Sequence, residues 1–421
     1  MKSICAAAQA FANTVCPNAN PDNVVVSKLT KGWNGERLIA QRSVAAFTNL
    51  YLPRLHRSGY IAPNLESENW IASPGGYVMN SKPGLYDSVL VLDFKSLYPS
   101  IIRTFRIDPL GLIEGLKQEV GIEKDQAIDG FRGGRFHRTK HFLPSLIESL
   151  WSARDIAKKN DEKAFSQAIK IIMNSFYGVL GSSGCRFFDH RLASSITMRG
   201  HEIMKTTREL IEEKGYEVIY GDTDSTFVTL GQKVSSKEAD RIGHDLVKHI
   251  NEWWSEYLLS TYAIESSLEL EYETHYRTFL MPTIRGSETG SKKRYAGLIR
   301  KDGVEKMVFK GLETVRTDWT PLSQTFQKVL FDKVFHQQEV KEYVRKYVDD
   351  TKSGRLDEQL IYRKRLRRKL DDYQKNVPPH VKAARLADYY NQQAGKPAQY
   401  QYGGWIEYVI TTAGPEPIEY R

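Results

Sequence analysis

The stretch VIYGDTDSTFV, residues 218–228, sets Asp222 and Asp224 two positions apart inside an apolar run. Residues at that spacing on a strand point the same way, so the two charges repel unless something positive sits beside them. The apolar, β-branched and aromatic flanks read as two strands joined at Gly221-Asp222 as a hairpin. A fold that accepts this hairpin must bring a compensating charge to one end of it. Alone, the pair admits a turn whose acids satisfy backbone amides, a calcium loop or a catalytic site.

The remainder of the 421 residues supplies positive charge in excess, with 60 Lys and Arg against 51 Asp and Glu, a formal +9. That balance favours polyanionic partners, nucleic acid first and acidic membrane surfaces second, although a merely basic soluble enzyme would show it too. With 41% hydrophobic and 26% charged residues, the chain is ordinary globular material for two or three domains. Cys5, Cys16 and Cys185 are odd in number and form no CxxC pair, which argues against a disulfide framework or zinc site. The opening MKSICAAAQA carries an apolar run, Ile4 to Ala8, too short for a secretory signal, and secretion is not expected. No stretch approaches the roughly 20 apolar residues of a membrane helix.

Along the chain, PNANPDN reads as a turn-rich break within the first 42 residues, and residues 43–60 have helical apolar spacing up to Pro53. SPGGY and SKPG bracket a hairpin-like region, followed by LYDSVLVLDF (85–94), a buried strand with Asp93 near its end. From 143 to 180 the periodicity turns helical: two helices joined by a charged turn at 160–163, the second stopped by Gly178 and Gly181. Another long helix, 192–215, feeds into the acidic hairpin. Strand-like runs follow at SLELEYETHYRTFLMPT and RYAGLIRKDGVEKMVFKGL, the latter with a KDG turn. After Thr320 the chain reads as helical and basic, with YRKRLRRK (362–369) its strongest charge run.

Phosphoryl transfer assisted by two divalent cations needs carboxylates from separate strand ends at one point. Asp93 and the Asp222/Asp224 pair fit that need. On the helix holding Lys170, the spacing i, i+4, i+7 puts Lys170, Asn174 and Tyr177 on one face of an otherwise apolar helix. Arg154 and Lys158 repeat the spacing on the preceding helix. Three cations on two adjoining helices suit a triphosphate, and a solvated face would look alike for any one of them.

DFKSLYPSII (93–102), KIIMNSFYG (170–178) and YGDTDS (220–225) occur in that order, and they resemble the three polymerase motifs of family B DNA polymerases. The resemblance runs from about Ser43 to the end. It implies an α+β chain of right-hand polymerase architecture, with an antiparallel-sheet palm, helical fingers and a mainly helical thumb. By resemblance, residues 43–109 are the first part of the palm, 110–181 the fingers, 182–315 the second part of the palm and 316–421 a C-terminally truncated thumb. Residues 1–42 stay unassigned. The implied activity is template-directed DNA synthesis in the bacterial cytoplasm, at the nucleoid, on primer-template DNA and dNTPs. The implied cofactor is two Mg²⁺ ions, with Mn²⁺ as a substitute.

The resemblance makes Asp93 and Asp224 the principal metal ligands, assisted by the Phe94 carbonyl, with Asp222 a weaker or indirect one. The amides of Ser96, Leu97 and Tyr98 would face the triphosphate, and the Tyr98 ring would pack on the sugar and exclude a ribose 2′-hydroxyl. An RNA-synthesising or reverse-transcribing palm is a further option, and the bulk of Tyr98 argues against ribonucleotide synthesis. Arg154, Lys158 and Lys170 match nucleotide-binding cations, and Asn174, Tyr177 and Gly178 match positions near the nascent base pair. GSKKRYAG (290–297) matches a primer-contact motif through Lys292, Lys293, Arg294 and Tyr295. FKGLETVRTDW (309–319) resembles the junction into the thumb, and VPPHVKAAR (377–385) a thumb segment. YRKRLRRK, with Arg365, Arg367 and Arg368, would follow the duplex backbone; a solvated helix face or a localisation signal would also account for that run. No FDIE-like acidic segment precedes the palm motifs, so no 3′→5′ exonuclease is expected in this chain. A sliding clamp is a candidate partner of full-length family members, but no clamp-binding motif is seen here. The alternative reading is a remnant that binds primer-template without useful synthesis.

Overall fold

The computed structural model describes residues 37–65, 71–117, 126–284 and 286–420, with side chains from residue 43 onward. The PNANPDN break, Cys5 and Cys16 lie outside them. The chain forms two compact units: one includes the described residues up to Asn80 and Leu90–Thr274, the other Ser81–Val89 and the chain from His275 onward.

In the first unit, helix α1 (Arg37–Arg57) runs through Pro53 instead of stopping there. Proline forfeits one backbone donor, and the buried Phe47, Leu50, Tyr51 and Leu55 face keeps the helix in place across it. Strand β1 (Gly84–Phe94) runs from the second unit into the first and is continuously buried from Ser88 to Leu92. Helices α2 (Leu97–Thr104) and α3 (Pro109–Leu116) follow, then a small antiparallel hairpin of β2 (Ala127–Asp129) and β3 (Arg135–His137). Helices α4 (Leu143–Lys159) and α5 (Lys163–Leu180) form the expected helical pair. In α5, Ile169, Met173, Phe176 and Leu180 share the buried face. Gly178 does not stop this helix, which continues to Leu180 with Gly181 at its C-cap.

Helix α6 (His190–Glu213) begins at Asp189, whose carboxylate accepts from Arg191 N, and ends just before Gly215 at φ 86°. The acidic hairpin follows as β4 (Glu217–Asp222) and β5 (Ser225–Thr229), with β5 beside the end of β1. Helix α7 (Ser236–Tyr262) starts at Ser235, whose hydroxyl accepts from Glu238 N at 3.2 Å, and buries Trp254. Strand β6 (Leu270–Met281) then neighbours β1 and passes into the second unit. One large apolar cluster, from Phe47 to Leu270, holds these elements together. The bracketed 73–84 region is not a hairpin: it makes a single bridge, Val78 to Asp222, and Met79 N donates to Gly221 O at 2.9 Å.

In the second unit, the end of β6 pairs with β7 (Tyr295–Lys301), which pairs with β8 (Val304–Lys310). Asp302 and Gly303 join the last two with φ 53° and 80°, the doubly positive turn that matches strand twist. Helices α8 (Pro321–Phe335), α9 (Lys341–Lys352) and α10 (Pro379–Gln393) are joined by a three-stranded antiparallel sheet of β9 (Tyr362–Leu366), β10 (Gly404–Thr411) and β11 (Gly414–Pro417). The basic run therefore starts on a strand, not a helix. Leu366, Ile406 and Tyr408 bury the inner side of that sheet against Val381 and Ala384 of α10. Among the described residues, no helix is long and apolar enough to cross a membrane.

Candidate active site

The buried run of β1 carries Asp93 to the strand's end. The hairpin arrives beside it with a tighter turn than its sequence indicates. Asp222 pairs with Ser225, so the two-residue turn is Thr223-Asp224, with Thr223 at φ 59°. The two acids therefore do not share a strand face: Asp222 ends β4, and Asp224 occupies the turn. Phe94 N donates to Asp224 O at 2.9 Å, and Ser225 Oγ donates to Asp93 Oδ1 at 2.5 Å. These two bonds bring Asp93 and Asp224 together. Asp222 accepts from Thr223 Oγ1 at 3.1 Å.

Burial pushes the Asp93 carboxyl up to about 7, and Asp224 and Glu273 add to that, while the Ser225 hydrogen bond and Lys170 oppose it. A carboxylate so placed gains from a neighbouring dication. Among the described residues, no three side chains drawn from His, Cys, Asp and Glu stand ready to enclose a metal alone. Two carboxylates fit Mg²⁺ well, because that ion keeps several waters and takes substrate phosphates as its remaining ligands.

Past Phe94, whose side chain is buried, Ser96 takes up φ 48° and opens α2 without a side-chain cap. Its Oγ is buried and unpartnered. The first amides of a helix have no intrahelical acceptor, so the Leu97 and Tyr98 N–H groups head an anion-suited terminus. The Tyr98 ring rests against Tyr177 of α5, 4.8 Å between centroids. Burial first, then Tyr177, Asp224 and Asp222, push the Tyr98 hydroxyl well above its ordinary value.

On α5, Lys170, Asn174 and Gly178 are exposed; Lys170 lies within electrostatic range of Asp93, and Tyr177 packs against Tyr98. On α4, Lys158 is exposed and Arg154 half-buried, its Nε without a partner. Sequence reasoning missed Ser225 as the group holding Asp93. It also missed a cleft of about 700 Å³ lined by Asp93, His244, Asn251, Glu269, Glu271 and Glu273. The period-two acids of LELEYET were the available signal for that cleft.

In the second unit, Lys292 and Lys293 are exposed on the turn before β7, with Lys293 at φ 61°. Arg294 is turned to Glu313 in an ion pair, and Tyr295 packs on Phe279 at 5.2 Å. Arg365 lies opposite Trp405 on the outer side of β9, and Arg367 and Arg368 are exposed just past it.

Residues 35–419 match the sequence profile described as DNA polymerase family B, starting ahead of the Ser43 boundary of the resemblance. DNA polymerase II of Escherichia coli (strain K12) is 61% identical over 379 residues, covering 90% of this chain and 48% of that protein. A DNA polymerase of Thermococcus gorgonarius is 31% identical over 356 residues, covering 79% of this chain and 42% of that protein. The solved family B DNA polymerase of the archaeon Pyrobaculum calidifontis aligns with a TM-score of 0.58 and 27% identity, over 91% of this chain and 47% of that one. The chain thus spans about half the length of the curated relatives it matches. With its motifs, mixed α+β fold and antiparallel sheet in agreement, the chain belongs to DNA polymerase family B.

Proposed function

We propose that this chain extends a DNA primer on a template, joining the primer 3′-hydroxyl to the α-phosphate of a dNTP with release of pyrophosphate. The convergence of Asp93 and Asp224, through the Phe94–Asp224 and Ser225–Asp93 hydrogen bonds, carries this reading. Asp93 and Asp224, with the Phe94 carbonyl and a lesser part for Asp222, would hold Mg²⁺ or Mn²⁺. When bound, the ions supply charge stabilisation for the attacking and leaving oxygens.

The chain's own residues bind and orient. The amides of Ser96, Leu97 and Tyr98 receive the phosphates, and Arg154, Lys158 and Lys170 neutralise them. Tyr98 bounds the sugar, while Asn174, Tyr177 and Gly178 line the new base pair. Lys292, Lys293, Arg294 and Tyr295 hold the primer, and Arg365, Arg367 and Arg368 track the duplex backbone without reading sequence. In domain terms the palm is 43–109 with 182–315, the fingers 110–181 and the thumb 316–421. Likeness to the Escherichia coli protein supports work in the bacterial cytoplasm.

Primer extension with Mg²⁺ tests the assignment. Asp93→Asn and Asp224→Asn should each cost at least about 10²-fold in rate, since the charge stabilisation at stake is several kcal/mol. Extension that survives either change rejects the site. Parent chain that binds primer-template and never extends it rejects the activity.

A further inference from the structure

The segment Ala72–Met79 carries no role in the function proposed so far, yet it is pinned along its length. Arg132 donates to Ala72 O at 3.2 Å, and Ser73 pairs with Ser194 at 3.1 Å. His201 Nε2 donates to Gly75 O at 2.8 Å, and its ring lies 5.5 Å from that of Tyr77. Tyr77 O accepts from Thr223 N at 2.7 Å, in the turn that carries Asp224. A strap held at α6 and at the acidic hairpin has little freedom to retreat.

Gly76 is the point where this strap meets the site. A Cβ there would stand 2.9 Å from Thr223 Oγ1 and 3.0 Å from the Tyr98 hydroxyl oxygen. Its φ lies outside the left-handed region, so space and not backbone conformation demands glycine. Thr223 is β-branched and stiff, and its Oγ1 is engaged with Asp222. Tyr98 is hemmed elsewhere by Tyr177 and by Gly200, where a Cβ would lie 3.4 Å from Tyr98 Cε1. A methyl at Gly76 therefore drives the hydroxyl end of Tyr98 away from the strap.

We propose that Gly76 is a specificity-determining position: the absent side chain sets the seat of the Tyr98 hydroxyl, and so the room for a sugar 2′-hydroxyl. This rests on the assignment of Tyr98 as the residue that bounds the sugar. Single-nucleotide incorporation with dNTP and the matching rNTP, on primer-template with Mg²⁺, tests it. Gly76→Ala should move the ratio of the two kcat/KM values by at least about tenfold, chiefly through KM. In a Tyr98→Phe background the contacted oxygen is gone, and the same change should move the ratio less than about threefold. Gly75→Ala, whose Cβ meets nothing within 4 Å, should leave the ratio unaltered.

Equal effects of Gly76→Ala in both backgrounds, no effect in either, or an equal effect from Gly75→Ala overturns the inference. Should Gly76→Ala not extend at all, the double variant Gly76→Ala/Tyr98→Phe must recover extension, and failure to do so overturns it as well. Tyr98→Ala separates the two layers. If discrimination persists without the tyrosine, the assignment of Tyr98 itself falls. If Tyr98→Ala loses discrimination while Gly76→Ala retains it unchanged, only the role of Gly76 falls.

Discussion

Asp93 and Glu114 are both confined acids, and their neighbours send them opposite ways. Burial, with other carboxylates adding to it, raises Asp93 to about 7. Glu114, 4% exposed, is pushed up by burial, but hydrogen bonds from Lys117, Lys140 and Tyr60 outweigh this and bring it down to about 2. A depressed carboxyl contributes stability that is complete above its unfolded value of 4.5 and is lost as pH falls toward 2. Glu114→Gln should therefore destabilise by roughly 1–3 kcal/mol at pH 7, toward the low end because both lysines are about half exposed, and the gap should close near pH 2. Urea unfolding at the two pH values measures this. Asp93 was legible from its place at the end of an apolar run. Glu114 was not, because Tyr60 and Lys140 stand far from it in the chain and only the fold assembles them.

Among elements, α5 was read nearly whole, since its apolar spacing and its polar face agree. The misreading of Gly178 as a stop has a physical reason: a glycine interrupts a helix only when the packing on either side lets it. Here Phe176, Val179 and Leu180 are buried around it, while Gly178 itself faces open space. Gly178→Ala should thus stabilise by about 0.5–1 kcal/mol, raising Tm by roughly 1–4 °C. If this face receives the new base pair, the same change should slow extension by about tenfold. Melting and extension measured together check both; a rise in both removes Gly178 from the site. Strand β9 escaped notice because Arg363, Lys364 and Arg365 mask its two-residue period, and only Leu366 is fully apolar on its inner side. Its partner β10 gives the register that the run alone lacks.

For the whole molecule, a formal +9 becomes a measurable quantity through salt. Each phosphate contact contributes about 0.9 to the slope of log K against log salt, so replacing Arg365, Arg367 and Arg368 with Ala should flatten it by roughly 2–3. Fluorescence anisotropy on primer-template across a salt series checks this, and an unchanged slope makes the run a solvated surface. The order of the three motifs was legible at this scale because each is contiguous. The pairing of distant segments was not: Ser81–Val89 groups with residues nearly two hundred positions later.

That grouping has a consequence for biosynthesis. Ser81–Val89 leaves the ribosome before its unit's remaining residues, which begin at His275. At about 5–20 residues per second, roughly 185 residues of translation make a wait of about 10–40 s. Ser81 Oγ cannot reach Ser291 O, nor fill the space that Gly290 leaves for it, until that interval has passed. Leu90–Phe94, continuous with this stretch on the same strand, waits in turn for β5, Ser225–Thr229, which is synthesised before His275. The nascent protein thus acquires the partners of one end of β1 before those of the other.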